Sequence, residues 1–301
     1  HKGVGSGLSY LYDVEQCNSP GNNIEAIWQV KDTWGVTKGK IESISFKAWL
    51  LGSFSEIIKA KGKPPQNKPG NPKYLNYLLA VKRGRGLKSR FTSVYEAYEG
   101  QPEIVHLEEV SIKVMDPGSM KGHPGYVAGG VKVLLSGGTV DYICSSVCED
   151  TEFLVDDKIR FKGRLGFLRI KEDKVLYALL SKGTLLEYGE KGYQFALSSP
   201  YESIRGCIKD FEKQFSEYHF VDVIFDQAPD LLTEIIGRTI HIQPAGPWNA
   251  SYEIVDAYLL ENNCYRLILN RTTVKGRDQE GNYTYLFKEN ASFEIPVLRT
   301  T

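Results

Sequence analysis

Apolar and polar residues alternate along most of this chain, broken at short intervals by Gly, Pro and Asn. No other feature limits its fold as much. IEAIWQV (24–30), IESISFKAWL (41–50), YLNYLLAVK (74–82) and FTSVYEAY (91–98) have this pattern. So do EIVHLEEVSIKVM (103–115), YVAGGVKVLL (126–135), TVDYICSSV (139–147) and KIRFKGRLGFLRI (158–170). A period of two buries one face of a pleated strand. Further segments follow to the C-terminus at a spacing of roughly 8 to 15 residues, the rhythm of β-sandwiches and barrels. The 18 Tyr, 13 Phe and 29 Gly suit strands joined by tight turns.

The one long helix-like candidate, YESIRGCIKDFEKQFSEY (201–218), contains Gly206 and β-branched residues and is read as strand. DLLTEIIG (230–237) predicts a short helical turn ending at Gly237. Gly137-Gly138 predicts a two-residue hairpin turn. The Gly- and Pro-rich MDPGSMKGHPG (115–125) predicts a domain boundary, giving domains 1–115 and 116–301.

Lys plus Arg and Asp plus Glu both number 37, so the chain as a whole has no net attraction to nucleic acid or membrane. The charge is nevertheless uneven. Lys59 to Arg90 holds ten basic residues and no acid, leaving the remainder at −10. KAKGKPPQNKPGNPK reads as a loop because Pro and Gly interrupt a ladder. VKRGRGLKSR reads as a turn between two apolar strands. Lys82, Arg83, Arg85, Lys88 and Arg90 are the candidate binding residues: Arg meets carboxylate or sulfate in a bidentate way, and Lys acts as a point charge. A solvated loop that discourages edge pairing explains the same residues.

Nucleic-acid motifs are lacking, and no apolar run approaches the ~20 residues of a membrane helix. The histidines His1, His106, His123, His219 and His241 form no H-x-x-x-H or H-x-H pair. There is no G-x-S-x-G or phosphate-binding loop, and no cofactor is expected. Asp156 and Asp157 offer two carboxylates, but neighbours on a strand point to opposite faces, so a turn is the better account. Cys17, Cys144, Cys148, Cys207 and Cys264 show no C-x-x-C pair and read as ordinary thiols, not metal ligands. Sequons at Asn249, Asn270, Asn282 and Asn290 read as chance matches. The chain opens without Met and is expected to be a fragment of something longer.

SGLSYLYDVEQC, AIWQVKD, ISFKAWLLG and LKSRFTSVYEAYEGQPEIVHLEEVSI come in an order that resembles successive strands of heparinase II/III-like polysaccharide lyases. In that family the last segment commonly reads Ser-x-Phe-Val-x-Val-x-Glu-Pro-Tyr. Ser89, Phe91, Val94, Glu96 and Tyr98 fit it, and Ala97 stands where Pro is usual. GGVKVLLSGGTVDYICSS, IRFKGRLGFLRI, SKGTLLEYG and IIGRTIHIQPAGPWNASYEI are similar to the family's C-terminal β-domain.

The resemblance implies an all-β chain. An antiparallel β-sandwich with supersandwich-type strands, the C-terminal part of a lyase sandwich, would occupy 1–115. A second, smaller β-sandwich or barrel-like domain would follow. It also implies a parent enzyme that cleaves uronate-containing anionic polysaccharide by β-elimination, with a base taking the C5 proton and an acid protonating the leaving oxygen. The family's catalytic Tyr lies in an N-terminal α/α toroid, and its His-rich segment lies upstream of this start. Neither has a match here, so no catalytic residue is carried over. The implied partners are an anionic polysaccharide or oligosaccharide and the missing toroid. A stand-alone carbohydrate-binding or structural β-sandwich protein remains the alternative.

Overall fold

The computed structural model describes residues 7–18, 20–37, 43–64, 68–116, 127–189, 195–229 and 231–301. It is antiparallel β-sheet almost throughout. The strands begin with β1 (Leu11–Asn18), β2 (Asn22–Gln29), β3 (Ile44–Ser53), β4 (Glu56–Gly62), β5 (Leu75–Val81) and β6 (Thr92–Glu99). Next come β7 (Ile104–Glu109), β8 (Ile112–Val114), β9 (Ala128–Leu135), β10 (Val140–Ser146), β11 (Phe153–Val155) and β12 (Ile159–Lys171). They continue as β13 (Lys174–Tyr188), β14 (Phe195–Ser198), β15 (Ser203–Phe211), β16 (Phe220–Phe225), β17 (Thr239–Ile242) and β18 (Ala250–Leu259). The last are β19 (Tyr265–Leu269), β20 (Val274–Arg277), β21 (Tyr283–Tyr285), β22 (Ser292–Pro296) and β23 (Leu298–Thr300).

The chain divides into two compact units. The first takes in the chain up to Ile112, the stretch ending at Ile143 and the hairpin tip Arg169–Leu176. It contains the sheets β1-β4-β5 and β2-β3-β6, together with a ladder built on β7, β9 and β10. One face of β2-β3-β6 supplies Trp49, Leu51 and Val94 to a core completed by Leu107, Val131 and Val133. Strand alternation then sends Trp28, Phe46 and Tyr95 to the opposite face.

The second unit contains β11 paired with β12, β14 and β23 paired with β13, and a closed barrel in the order β15-β16-β19-β18-β17-β22. Ile208, Val221, Val223, Ile240, Ile254 and Leu267 fill the barrel and are fully buried. Of the two forms expected for the second domain, β-sandwich or barrel-like, the second unit contains a closed barrel, with no open edge among its six strands.

Several local expectations are refined. Segment 201–218 is strand only through Phe211. A bulge between Ile208 and Asp210 moves the inward set from Ile204, Gly206 and Ile208 to Phe211, which blurs the alternation. Segment 103–115 is two strands, β7 ending at Glu109 and β8 beginning at Ile112, and between them Val110 still donates to the Gly130 carbonyl of β9. Lys59 to Gly62, expected in a loop, belong to β4, where Ala60 and Gly62 are buried. The turn at Gly137-Gly138 includes Ser136. Leu135 donates to the carbonyl of Thr139, and Gly138 (φ 75°) takes the left-handed position of a three-residue loop.

Asp156 and Asp157 (φ 48° and 58°) form the hairpin turn between β11 and β12. The predicted helical turn is a 3₁₀ turn at Leu232–Glu234, followed by Gly237 at φ 75°. Most of the predicted boundary, 117–126, lies outside the described residues.

Candidate functional site

The five candidate cations lie on segment 82–91, which links β5 to β6 and so crosses from one sheet to another. Their surroundings divide them. Lys82 Nζ donates to the Arg90 carbonyl (3.0 Å) and lies 5.4 Å and 5.3 Å from the rings of Phe54 and Phe91. A cation beside this stacked pair of rings closes the base of the loop. Arg83 Nη2 meets the buried carboxylate of Glu56 at 2.5 Å, and its backbone N–H donates to Ser55 Oγ. Arg90 donates to the Ala128 carbonyl (2.5 Å) and to Glu109 Oε1 (3.2 Å). Its guanidinium lies over Gly129, where a Cβ would fall 2.5 Å from Nη1. These three side chains hold the segment to the body of the first unit.

Arg85 and Lys88 are exposed, and neither has an ion-pair partner among the described residues. Elsewhere in the basic run, Lys59 pairs with Glu15 (3.3 Å) and Lys61 with Asp13 (3.0 Å). The hydrogen bond from Lys61 to Asp13 raises the lysine's pKa. Four acids from outside the run thus answer Lys59, Lys61, Arg83 and Arg90, and its field is weaker than the sequence count implies.

The family-like segment from Ser89 to Tyr98 has structural tasks. Val94 joins the core, and Phe91 stacks on Phe54. Glu96 Oε1 accepts the N–H groups of Glu103 (2.7 Å) and Ile104 (3.0 Å), closing the link from β6 to β7.

Sequence reasoning missed the cluster around Glu212. This buried carboxylate accepts the N–H of Thr273 (3.2 Å) and both the N–H and Oγ of Ser216 (3.0 Å each). His219 Nδ1 lies 3.1 Å away. Burial pushes the Glu212 carboxyl up, but hydrogen bonds from Thr272, Thr273 and Ser216 outweigh it and hold it below the usual range. The carboxylate's lone pairs are largely occupied, which suits a staple and leaves little for a substrate. Ser216 and His219 lie four and seven positions away, but Thr273 lies sixty-one away, so no local motif shows the whole cluster.

His106 is exposed, 3.8 Å from Glu108, and His241 Nδ1 is 2.8 Å from Ser251 Oγ. His1 and His123 lie outside the described residues. All five cysteines carry free thiols, and burial pushes Cys144 up to about 12, keeping it protonated. Among the described residues no group of three or more His, Cys, Asp or Glu could hold a metal ion, and no helix is long and apolar enough to cross a membrane. No family model, curated protein or solved structure matches the chain.

Proposed function

We propose that this chain is the C-terminal β-region of a heparinase II/III-like polysaccharide lyase. The parent enzyme cleaves uronate-containing anionic polysaccharide by β-elimination. This region supports substrate binding and leaves the acid–base step to the toroid. The ordered run of family-like segments supports the family assignment, as does the all-β architecture in which they lie.

The observation that carries the binding role is the contrast within segment 82–91. Lys82, Arg83 and Arg90 fix the loop, while Arg85 and Lys88 are exposed on it. Cations on a braced loop lose less freedom on meeting an anion than cations on a floppy one. Arg85 can take a carboxylate or sulfate in bidentate fashion, and Lys88 adds a point charge.

The test is retention on heparin and alginate matrices. The double variant Arg85→Ser/Lys88→Ser should elute at lower salt than the parent, with an unchanged melting curve. Elution at the same salt, or no retention of the unmodified protein, removes the binding role. A stand-alone carbohydrate-binding or structural β-sandwich protein is the second reading. An upstream reading frame encoding a helical toroid with a Tyr/His set decides against it.

A further inference from the structure

Within the first unit, an open concavity of about 330 Å³ lies between β2-β3-β6 and β5. Trp28, Phe46, Leu50 and Tyr95 line one wall, and Asn76 and Leu78 the other. Register builds the aromatic wall. Trp28 stands opposite Phe46, and Tyr95 stands opposite Ala48, two residues further along β3. The Phe46 and Tyr95 rings stack 5.7 Å apart at 13°, and Trp28 continues the row 6.0 Å from Phe46. Tyr95 remains 60% exposed. The unit thus keeps a row of rings open to solvent instead of closing over it.

The second wall is polar, and its two lysines are paired with acids of β1, Lys59 with Glu15 and Lys61 with Asp13. Asn76 pairs across the ladder with Lys61, and Leu78 with Lys59, so both lysines share the face that lines the concavity. Lys61 Nζ sits 4.7 Å over the ring of Tyr74. The loop that follows β2 is also braced. The Asp32 carboxylate accepts N–H groups from Trp34, Val36 and Thr37 and the hydroxyl of Thr37. The exposed indole of Trp34 rests on Gly70, where a Cβ would lie 3.0 Å from the ring.

We propose that this concavity is a subsite for an acidic, uronate-containing oligosaccharide. The inference rests on the polysaccharide reading above and adds where and how the sugar is held. The C–H face of a pyranose stacks on Tyr95 and Phe46, Asn76 exchanges hydrogen bonds with ring hydroxyls, and Lys61 and Lys59 exchange their exposed partners Asp13 and Glu15 for the sugar carboxylate. The volume falls within the range of small-ligand sites, and the pairing of aromatic planes with a few polar groups is what such sites contain. A stable protein partner would call for roughly 800 Å² or more buried on this side, far larger than this concavity.

The experiment titrates the full 301-residue chain with a glucuronate-containing tetrasaccharide and a neutral xylo-oligosaccharide, by calorimetry and by tryptophan fluorescence. The acidic sugar should bind and perturb the emission. Tyr95→Ala should weaken binding about five- to tenfold. Tyr95→Phe, which keeps the ring, should retain binding, separating lost stacking from lost fold. Lys61→Gln should erase the preference for acidic over neutral sugar. If the parent is retained on heparin or alginate while Tyr95→Ala and Asn76→Ala bind the tetrasaccharide like the parent, the subsite is wrong and the polysaccharide reading stands. If the parent binds neither matrix nor tetrasaccharide, both fail. A concentration-dependent dimer abolished by Tyr95→Ala would overturn the subsite in favour of a contact between copies.

Discussion

Glu212 illustrates how a carboxylate can look catalytic and be structural. It is 3% exposed, it stands beside a histidine, and its acceptors are engaged by the chain around it. Removing the charge leaves the donors of Ser216 and Thr273 with a weaker acceptor, so Glu212→Gln should cost about 2 kcal/mol in urea unfolding at neutral pH. The carboxyl is held below its ordinary 4.5, so its contribution is complete above 4.5 and is lost as pH falls through the folded-state value. The parent's advantage over Glu212→Gln should therefore shrink between pH 7 and pH 3. An advantage that stays constant with pH would mean the hydrogen bonds do not depend on the charge. Nothing in DFEKQF announces this residue, because Thr273, which completes the set around it, is brought there only by the fold.

At the level of strands, the fold was legible where an apolar-rich, strand-forming run is unbroken by a bulge or by dense charge. β3, β5, β6, β10 and β12 lie where the alternation placed them. It was obscure where a bulge shifts the phase, as between Ile208 and Asp210, and where charge masks a ladder, as at Lys59 to Gly62. There, β1 supplies Glu15 and Asp13 opposite the lysines, a complementarity that composition does not reveal. The candidate loop was found from its charge. Which of its cations are free depends on Glu56, Glu109 and Ala128, far away in sequence. The aromatic wall draws Trp28, Phe46 and Tyr95 from three separate strands, so no local motif marks it.

Gly206, a weakness in a helical reading, is a requirement in the barrel. A Cβ there would lie 2.1 Å from the Ile224 carbonyl oxygen and 2.9 Å from the Phe225 Cα, both backbone atoms of β16. Gly206→Ala should destabilise the protein by about 3 kcal/mol. Gly276→Ala, with open space around its Cβ, should stay within ~0.5 kcal/mol. Equal midpoints in urea would refute the close approach of β15 and β16.

At the scale of the whole molecule, the barrel completes its own hydrogen-bond ladder and its own core. Residues 199–301 expressed alone should therefore give a cooperative thermal transition and dispersed amide resonances. A collapsed, non-cooperative product would show that the barrel borrows stability from outside its six strands. The order of those strands has a further consequence for biosynthesis. β15 closes the barrel by pairing with β22, Ser203 opposite Pro296, so the first strand to be made waits for the last. A nascent chain halted before Ser292 would hold β15 and β17 with bare edges. Closure of this body belongs to the moments after its final strand leaves the ribosome, and a holdase that shields strand edges would act in that interval.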